Sequence, residues 1–179
     1  MRTILLVFLS VLAMSVTSQS VGFGDNAQVY LVRHAEKEAG NDPLLTSAGY
    51  KRAGDLARTL GTKKITRIYT TGYKRTTQTG DSLHLLQAIP VVTYAADTTG
   101  ADLMQKIAAN GDTDKNILII GHSNTVPMLI NKLGLPTYPT AYLPDLEFDN
   151  LFLLTFKAGK ATVLTSKYGV PSGASAPMH

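Results

Sequence analysis

The chain has 179 residues, 44% of them hydrophobic, enough for one globular domain with a sizeable core but not for a second large one. Its formal charge of +4 comes from scattered lysines and arginines with no interleaved aromatic stripe, which suits anionic ligands and argues against a dedicated nucleic-acid binder. The absence of cysteine excludes a disulfide scaffold and any thiolate metal site.

The amino terminus reads as a signal peptide. Arg2 precedes an apolar run from Ile4 to Val16, and the small or polar Thr17, Ser18, Gln19 and Ser20 follow. That run is short for a membrane span and has no basic flank behind it. Residues 1–20 are therefore expected to be removed, with the cleavage point placed between Ser15 and Asn26. Export to the periplasm or outside the cell follows, with no stable membrane span after processing.

Residues 27–168 form the expected domain. Gln28–Arg33 reads as a buried strand because Val29, Tyr30, Leu31 and Val32 are continuously apolar. The polar stretch Glu36 to Leu45, with Gly40, Asn41, Asp42 and Pro43, is a loop. Thr46 caps a helix whose apolar stripe is Ala53, Leu56, Ala57 and Leu60, and Gly61 ends it. Strand Thr66–Thr70 and a helix through Leu86 follow, then strand Val91–Tyr94 after Pro90, and a helix containing Leu103, Met104, Ile107 and Ala108. Asn116–Ile120 is a fourth strand. The helix behind it starts at Ser123 or Asn124, either of which suits a cap, and closes at Gly134 and Pro136.

The repeated alternation implies a three-layer α/β/α sandwich with a mostly parallel sheet. Leu151–Phe156 and Ala161–Ser166 flank Lys157-Ala158-Gly159-Lys160 and give a C-terminal β-hairpin at one sheet edge. Residues 169–179, rich in Gly, Pro, Ser and Ala, read as a flexible tail.

Chemistry collects at the strand exits. His34 ends LVRH just after the first strand, and His122 lies just beyond the fourth, in ILIIGHSNT. Ligands of open α/β sheets bind outside the carboxyl ends of the strands, so these two histidines can share a cleft although they are far apart in the chain. Arg33 would join them, and Arg75 sits at a helix start just after the second strand. Two guanidinium forks and two imidazoles suit the oxygens of a phosphoryl group.

The segments LVRHAEKE, IYTTGYKRTTQTG and IIGHSNT, in that order, resemble the successive signatures of the histidine phosphatase superfamily, also called phosphoglycerate-mutase-like. The resemblance spans most of residues 28–168 and points to a compact, exported member. It implies phosphomonoester hydrolysis through a phosphohistidine intermediate, without metal or cofactor, on a phosphorylated small molecule or phosphoprotein. His34 is then the nucleophile, Arg33 and Arg75 hold phosphoryl oxygens, and His122 completes the pocket as a catalytic and phosphate-binding residue. The acidic residue that some members carry directly after the second histidine is replaced by Ser123-Asn124.

A proton donor for the leaving group is read as Asp97, which follows the third strand, with Glu36 as the alternative acid. Two other functions stay open: a protein phosphohistidine phosphatase, whose leaving group needs little help, and a non-catalytic secreted module that binds phosphate or a phospho-ligand. A serine nucleophile at Ser123 is disfavoured, because Thr125 replaces the second glycine of the strained elbow and only His179 follows as a base. His34, His84, His122 and His179 lack the spacing of a metal site.

Overall fold

A computed structural model of the chain describes residues 22–173. The signal-peptide reading of residues 1–20 and the end of the tail, 174–179, lie outside the described residues.

Ten elements follow one another: β1 (Gln28–Arg33), α1 (Ser47–Leu60), β2 (Arg67–Thr71), α2 (Lys74–Gln87), β3 (Val91–Tyr94), α3 (Ala101–Ala109), β4 (Asn116–Gly121), α4 (Thr125–Lys132), β5 (Asn150–Lys157) and β6 (Lys160–Lys167). The strands lie side by side in the order β3-β2-β4-β1-β5-β6. β1 to β4 pair in parallel, whereas β5 runs antiparallel to β1 and β6 antiparallel to β5. The sheet is thus mixed. The mostly parallel expectation holds for the four strands joined by helical crossovers, and the tight hairpin turn forces the last two into antiparallel pairing.

The apolar runs divide cleanly between the two sheet faces. Val29 and Leu31 of β1, with Ile117 and Ile119 of β4, pack against Leu103 and Ile107 of α3 and Val126, Leu129 and Ile130 of α4. Tyr30 and Val32, with Leu118 and Ile120, pack against Leu56, Ala57 and Leu60 of α1 and Leu83 of α2. Alternate side chains of one strand point to opposite faces, so a strand covered by helices on both sides has no polar position to spare. That gives the three layers and fixes the pairing register, since a one-residue slip would move each set to the wrong helices.

Local signals explain the boundaries. Thr46 Oγ1 accepts the Gly49 amide at 3.1 Å and caps α1. Ala158 and Gly159 both have positive φ, 49° and 72°, at the centre of the β5–β6 turn, which brings the strands back with the right twist. Thr125 Oγ1, rather than Ser123 or Asn124, meets the chain at the start of α4, accepting the His122 amide at 2.9 Å.

The expected loose tail is anchored at its beginning. Arg52 donates to the carbonyl of Val170 at 3.0 Å, Ser172 Oγ accepts the Phe148 amide at 2.8 Å, and Asp149 Oδ2 accepts the Ser172 amide at 3.0 Å. Composition identifies the stretch as irregular, but a buried arginine and a buried aspartate supply partners for its backbone.

Candidate active site

The parallel pairing of β1 and β4 sets Arg33 directly opposite Gly121, so the residues that follow each strand leave the sheet together. The His34 amide donates to the Gly121 carbonyl at 2.9 Å, extending the ladder by one step. A side chain at 121 would have to displace Thr125 Oγ1, 2.9 Å from its Cβ position, which explains a glycine at the last position of β4, before His122. The imidazoles of His34 and His122 lie 5.4 Å apart, edge to face.

α2 brings the third part. Its start follows β2 after a tight turn, so Arg75 reaches His122, with Nη2 3.4 Å from Nδ1. Thr79, one turn further on, accepts the Ala35 amide at 2.9 Å and ties this helix to the residue after the nucleophile candidate. Arg33, His34, Arg75 and His122 line one open cleft of about 320 Å³, together with Lys37, Tyr73, Ala96, Ser123 and Asn124.

Hydrogen bonding assigns the protons on His34. Its Nδ1 lies 2.8 Å from the carbonyl oxygen of Ala35, and a carbonyl can only accept, so Nδ1 carries the hydrogen. Nε2 then holds the lone pair. Burial, followed by the charges of Arg33, His122 and Arg75, pulls the His34 pKa down to about 3 despite the opposing bond to Ala35. Burial, then Arg75 and Arg33, pulls His122 down to about 4. Both rings are neutral near pH 7, and His34 presents a nucleophilic nitrogen that protons do not block.

The arginines are held short of saturation. Arg33 Nη1 donates to the carbonyls of Pro144, Asp145 and Glu147 at 2.9, 3.1 and 3.3 Å, and its Cζ lies 4.2 Å from the centre of the Phe148 ring. All three bonds use one nitrogen. Arg33 Nε and Arg75 Nε are buried with no hydrogen-bond partner among the described residues. Burial lowers the proton affinity of Arg33, yet a guanidinium keeps its charge at any working pH. Desolvated cations with idle donors are stabilised by an incoming anion that brings several acceptor oxygens. Tyr73 stacks on Arg75 at 4.2 Å and forms the wall beside His122.

Neither acid expected from the sequence faces this cleft. Asp97 Oδ1 accepts the amides of Thr99 and Gly100 and the Thr99 hydroxyl, at 2.8, 2.9 and 2.5 Å. Those bonds, the Thr99 hydroxyl first, hold its carboxyl below the ordinary aspartate range, opposite to the shift a proton donor needs. Its neighbour Ala96 lines the cleft instead. Glu36 makes a two-pronged ion pair with the buried Arg52, at 2.6 to 2.9 Å, where it joins the 34–46 loop to α1 and the chain end. Among the described residues no carboxylate lines the cleft.

Lys37, Tyr73 and the loop 143–148 were not foreseen as parts of the site. The first two sit inside LVRHAEKE and IYTTGYKRTTQTG, and their type, a cation and an aromatic ring next to phosphate-binding arginines, was the available signal. Main-chain carbonyls such as those of 144, 145 and 147 leave no trace in residue identity. Ser123 and Asn124, read as helix caps, line the cleft.

The two depressed histidines couple proton uptake to folding. Each has a lower pKa folded than unfolded, so between about pH 6.5 and their folded values the unfolded chain binds more protons, and stability is lost as pH falls. Each ring is expected to cost about 2 kcal/mol by pH 5 relative to pH 7. Urea unfolding of wild type and His34→Gln at both pH values checks this: the variant should lose about 2 kcal/mol less, and an equal acid loss would remove His34 as a source.

Among the described residues no helix is long and apolar enough to cross a membrane, and no group of three or more His, Cys, Asp or Glu could hold a metal ion. The family model for the histidine phosphatase superfamily (branch 1) matches residues 29–96. A comparison with curated proteins finds no match. Among solved structures, the alpha-ribazole phosphatase of Shigella flexneri is similar at 14% identity and TM-score 0.61, over 83% of this chain and 100% of that one. The phosphoserine phosphatase of Entamoeba histolytica is similar at 14% identity and TM-score 0.58, over 80% and 98%. A protein of Agrobacterium tumefaciens that bears the name phosphohistidine phosphatase SixA is similar at 19% identity and TM-score 0.56, over 80% and 98%. Such identities speak for the fold, and the family match falls on the segment that delivers Arg33, His34 and Arg75. The chain thus shares the fold of these structures, and the segment matched by the superfamily model brings Arg33, His34 and Arg75 to the same cleft as His122.

Proposed function

We propose that the chain hydrolyses phosphoric monoesters by way of a phosphohistidine formed at Nε2 of His34. The observation that carries this reading is the bond from Nδ1 to the Ala35 carbonyl, which leaves the Nε2 lone pair free in a cleft flanked by unsaturated guanidiniums. In the first step Nε2 attacks phosphorus and the bond from phosphorus to the leaving oxygen breaks, with the leaving group taking a proton from water. In the second, water attacks phosphorus and the phosphorus–nitrogen bond breaks, so that phosphate departs, the attacking water's proton neutralises the hydroxide left by the first step, and Nε2 of His34 regains its lone pair. Arg33, Arg75 and His122 hold the charge on the transferring group throughout, a task that calls on no metal or cofactor.

The test is rapid acid-free quenching after mixing with a ³²P-labelled phosphoryl donor. One labelled histidine, stable in alkali and lost in acid, is expected at His34. Label at another residue, or tight phosphate binding with no label, would replace this reading, the second outcome by a binding module.

A second reading has its own support. With Asp97 and Glu36 both engaged elsewhere and no carboxylate among the described residues that line the cleft, substrates whose leaving group needs no enzyme donor are favoured, phosphohistidine of a protein among them. The protein named phosphohistidine phosphatase shares this fold. The openness of a cleft rimmed by Lys37 and Tyr73 suits a phosphoryl group borne on a larger molecule. The Arg2-led apolar amino terminus and the lack of cysteine support export to the periplasm or beyond.

A further inference from the structure

Two threonines at the end of β2 and the start of α2 have no part in the chemistry derived so far, yet their hydroxyls end on His122. Thr71 and Thr76 are both fully buried. Thr71 Oγ1 lies 3.0 Å from His122 Nε2 and 2.8 Å from Thr76 Oγ1. Thr76 Oγ1 in turn lies 2.7 Å from the carbonyl of Tyr73 and 3.1 Å from that of Thr71.

Counting hydrogens along this row gives one solution. A carbonyl accepts only, so the single hydrogen of Thr76 goes to a carbonyl, with Tyr73 the nearer. Thr76 Oγ1 is then an acceptor for the single hydrogen of Thr71, whose oxygen has only lone pairs left for His122. The hydrogen between Thr71 and His122 therefore belongs to Nε2. The other edge of the ring agrees independently, because Arg75 Nη2 has nothing but donors to offer Nδ1. Both edges demand the neutral ring with hydrogen on Nε2.

We infer that Thr71 is a positioning residue that, held by Thr76, fixes His122 with its hydrogen on Nε2, so that protons enter and leave this ring at Nδ1, beside Arg75. The role rests on the phosphatase reading, in which His122 must meet a phosphoryl oxygen. A ring free to exchange tautomers would present Nδ1 to the cleft sometimes as a donor and sometimes as an acceptor. A ring anchored at Nε2 gains a proton only at the edge near the anion, and gains it when the anion's charge arrives. The charged and titratable groups that face His122 are Arg75 and Tyr73 from the start of α2, and Arg33 and His34 from the end of β1. Among them no carboxylate competes to hold the ring, which leaves the threonine row as its anchor.

The experiment is long-range ¹H–¹⁵N correlation spectroscopy of histidine-labelled full chain, with His122 assigned by loss of its signals in His122→Asn. Wild type should show hydrogen on Nε2. Thr71→Val, which keeps the shape and removes the hydroxyl, should give a mixture of tautomers or the Nδ1–H form, and Thr71→Ser should restore the wild-type pattern. Thr76→Val frees the Thr71 hydrogen to turn towards Nε2 and should shift the pattern the same way without altering Thr71, so a folding defect in one variant does not decide the matter. With nitrophenyl phosphate, Thr71→Val should lower kcat about tenfold and displace its pH profile, and serine should recover both. An Nδ1–H ring in wild type, or an Nε2–H ring in both valine variants, would overturn the inference. If wild type shows the expected tautomer but no turnover and no labelled His34, the phosphatase reading falls while the positioning role stands.

Discussion

His34→Ala is expected to lower kcat by at least about a thousandfold, because a covalent route that loses its attacking atom retains only what binding and charge stabilisation supply. The cationic pocket should survive. Arg33 is fixed by the carbonyls of 144, 145 and 147 and by Phe148, and Arg75 by its place at the start of α2, neither through the His34 ring. Phosphate should therefore still bind to the variant, measured by calorimetry, while steady-state assays record the loss. A variant that retains a tenth of wild-type turnover would show that water attacks the ester directly, with His34 serving only as lining.

The second large effect concerns the leaving group. A positioned acid contributes about a hundredfold to ten-thousandfold to expulsion of a poor alkoxide. With Asp97 bonded to its own turn and Glu36 to Arg52, alkyl phosphates should turn over slower than nitrophenyl phosphate or a phosphoramidate by a factor within that range. Asp97→Asn should change neither class of substrate, because the carboxylate serves Thr99 and Gly100. A series of aryl and alkyl esters plotted against leaving-group pKa reads this directly as a steep negative slope. A shallow slope in wild type that becomes steep in Asp97→Asn would return the proton-donor role to Asp97.

Much of this was legible in the residues because the signals were local or periodic. Thr46 and Gly61 bracket α1 as a cap and a stop, and Gln28–Arg33 is observed with the expected bounds. The convergence of His34 and His122 followed from strand polarity, since parallel neighbours must end on the same side of a sheet. Side-chain direction was not legible. A strand-exit position locates the Cα of Asp97 but not its carboxylate, and Asp97-Thr98-Thr99-Gly100 before a helix could equally be read as a capping turn, which is what forms. The sheet becomes mixed where β5 runs antiparallel to β1, a pairing that no local pattern names, and the tight turn at Ala158-Gly159 then adds β6 antiparallel to β5. The anchoring of Ser172 depends on Asp149, and that of Val170 on Arg52, contacts between distant parts of the chain that residue identity does not record.

The grip on Arg33 has a bearing on how such a site can change over generations. Because its holders are main-chain oxygens of 144, 145 and 147, identity along that stretch is largely free to drift, as the outward-facing Leu146 illustrates, whereas adding or deleting one residue would reset the clamp. New specificities can thus be painted onto the rim of the cleft while the anion's seat stays where it is.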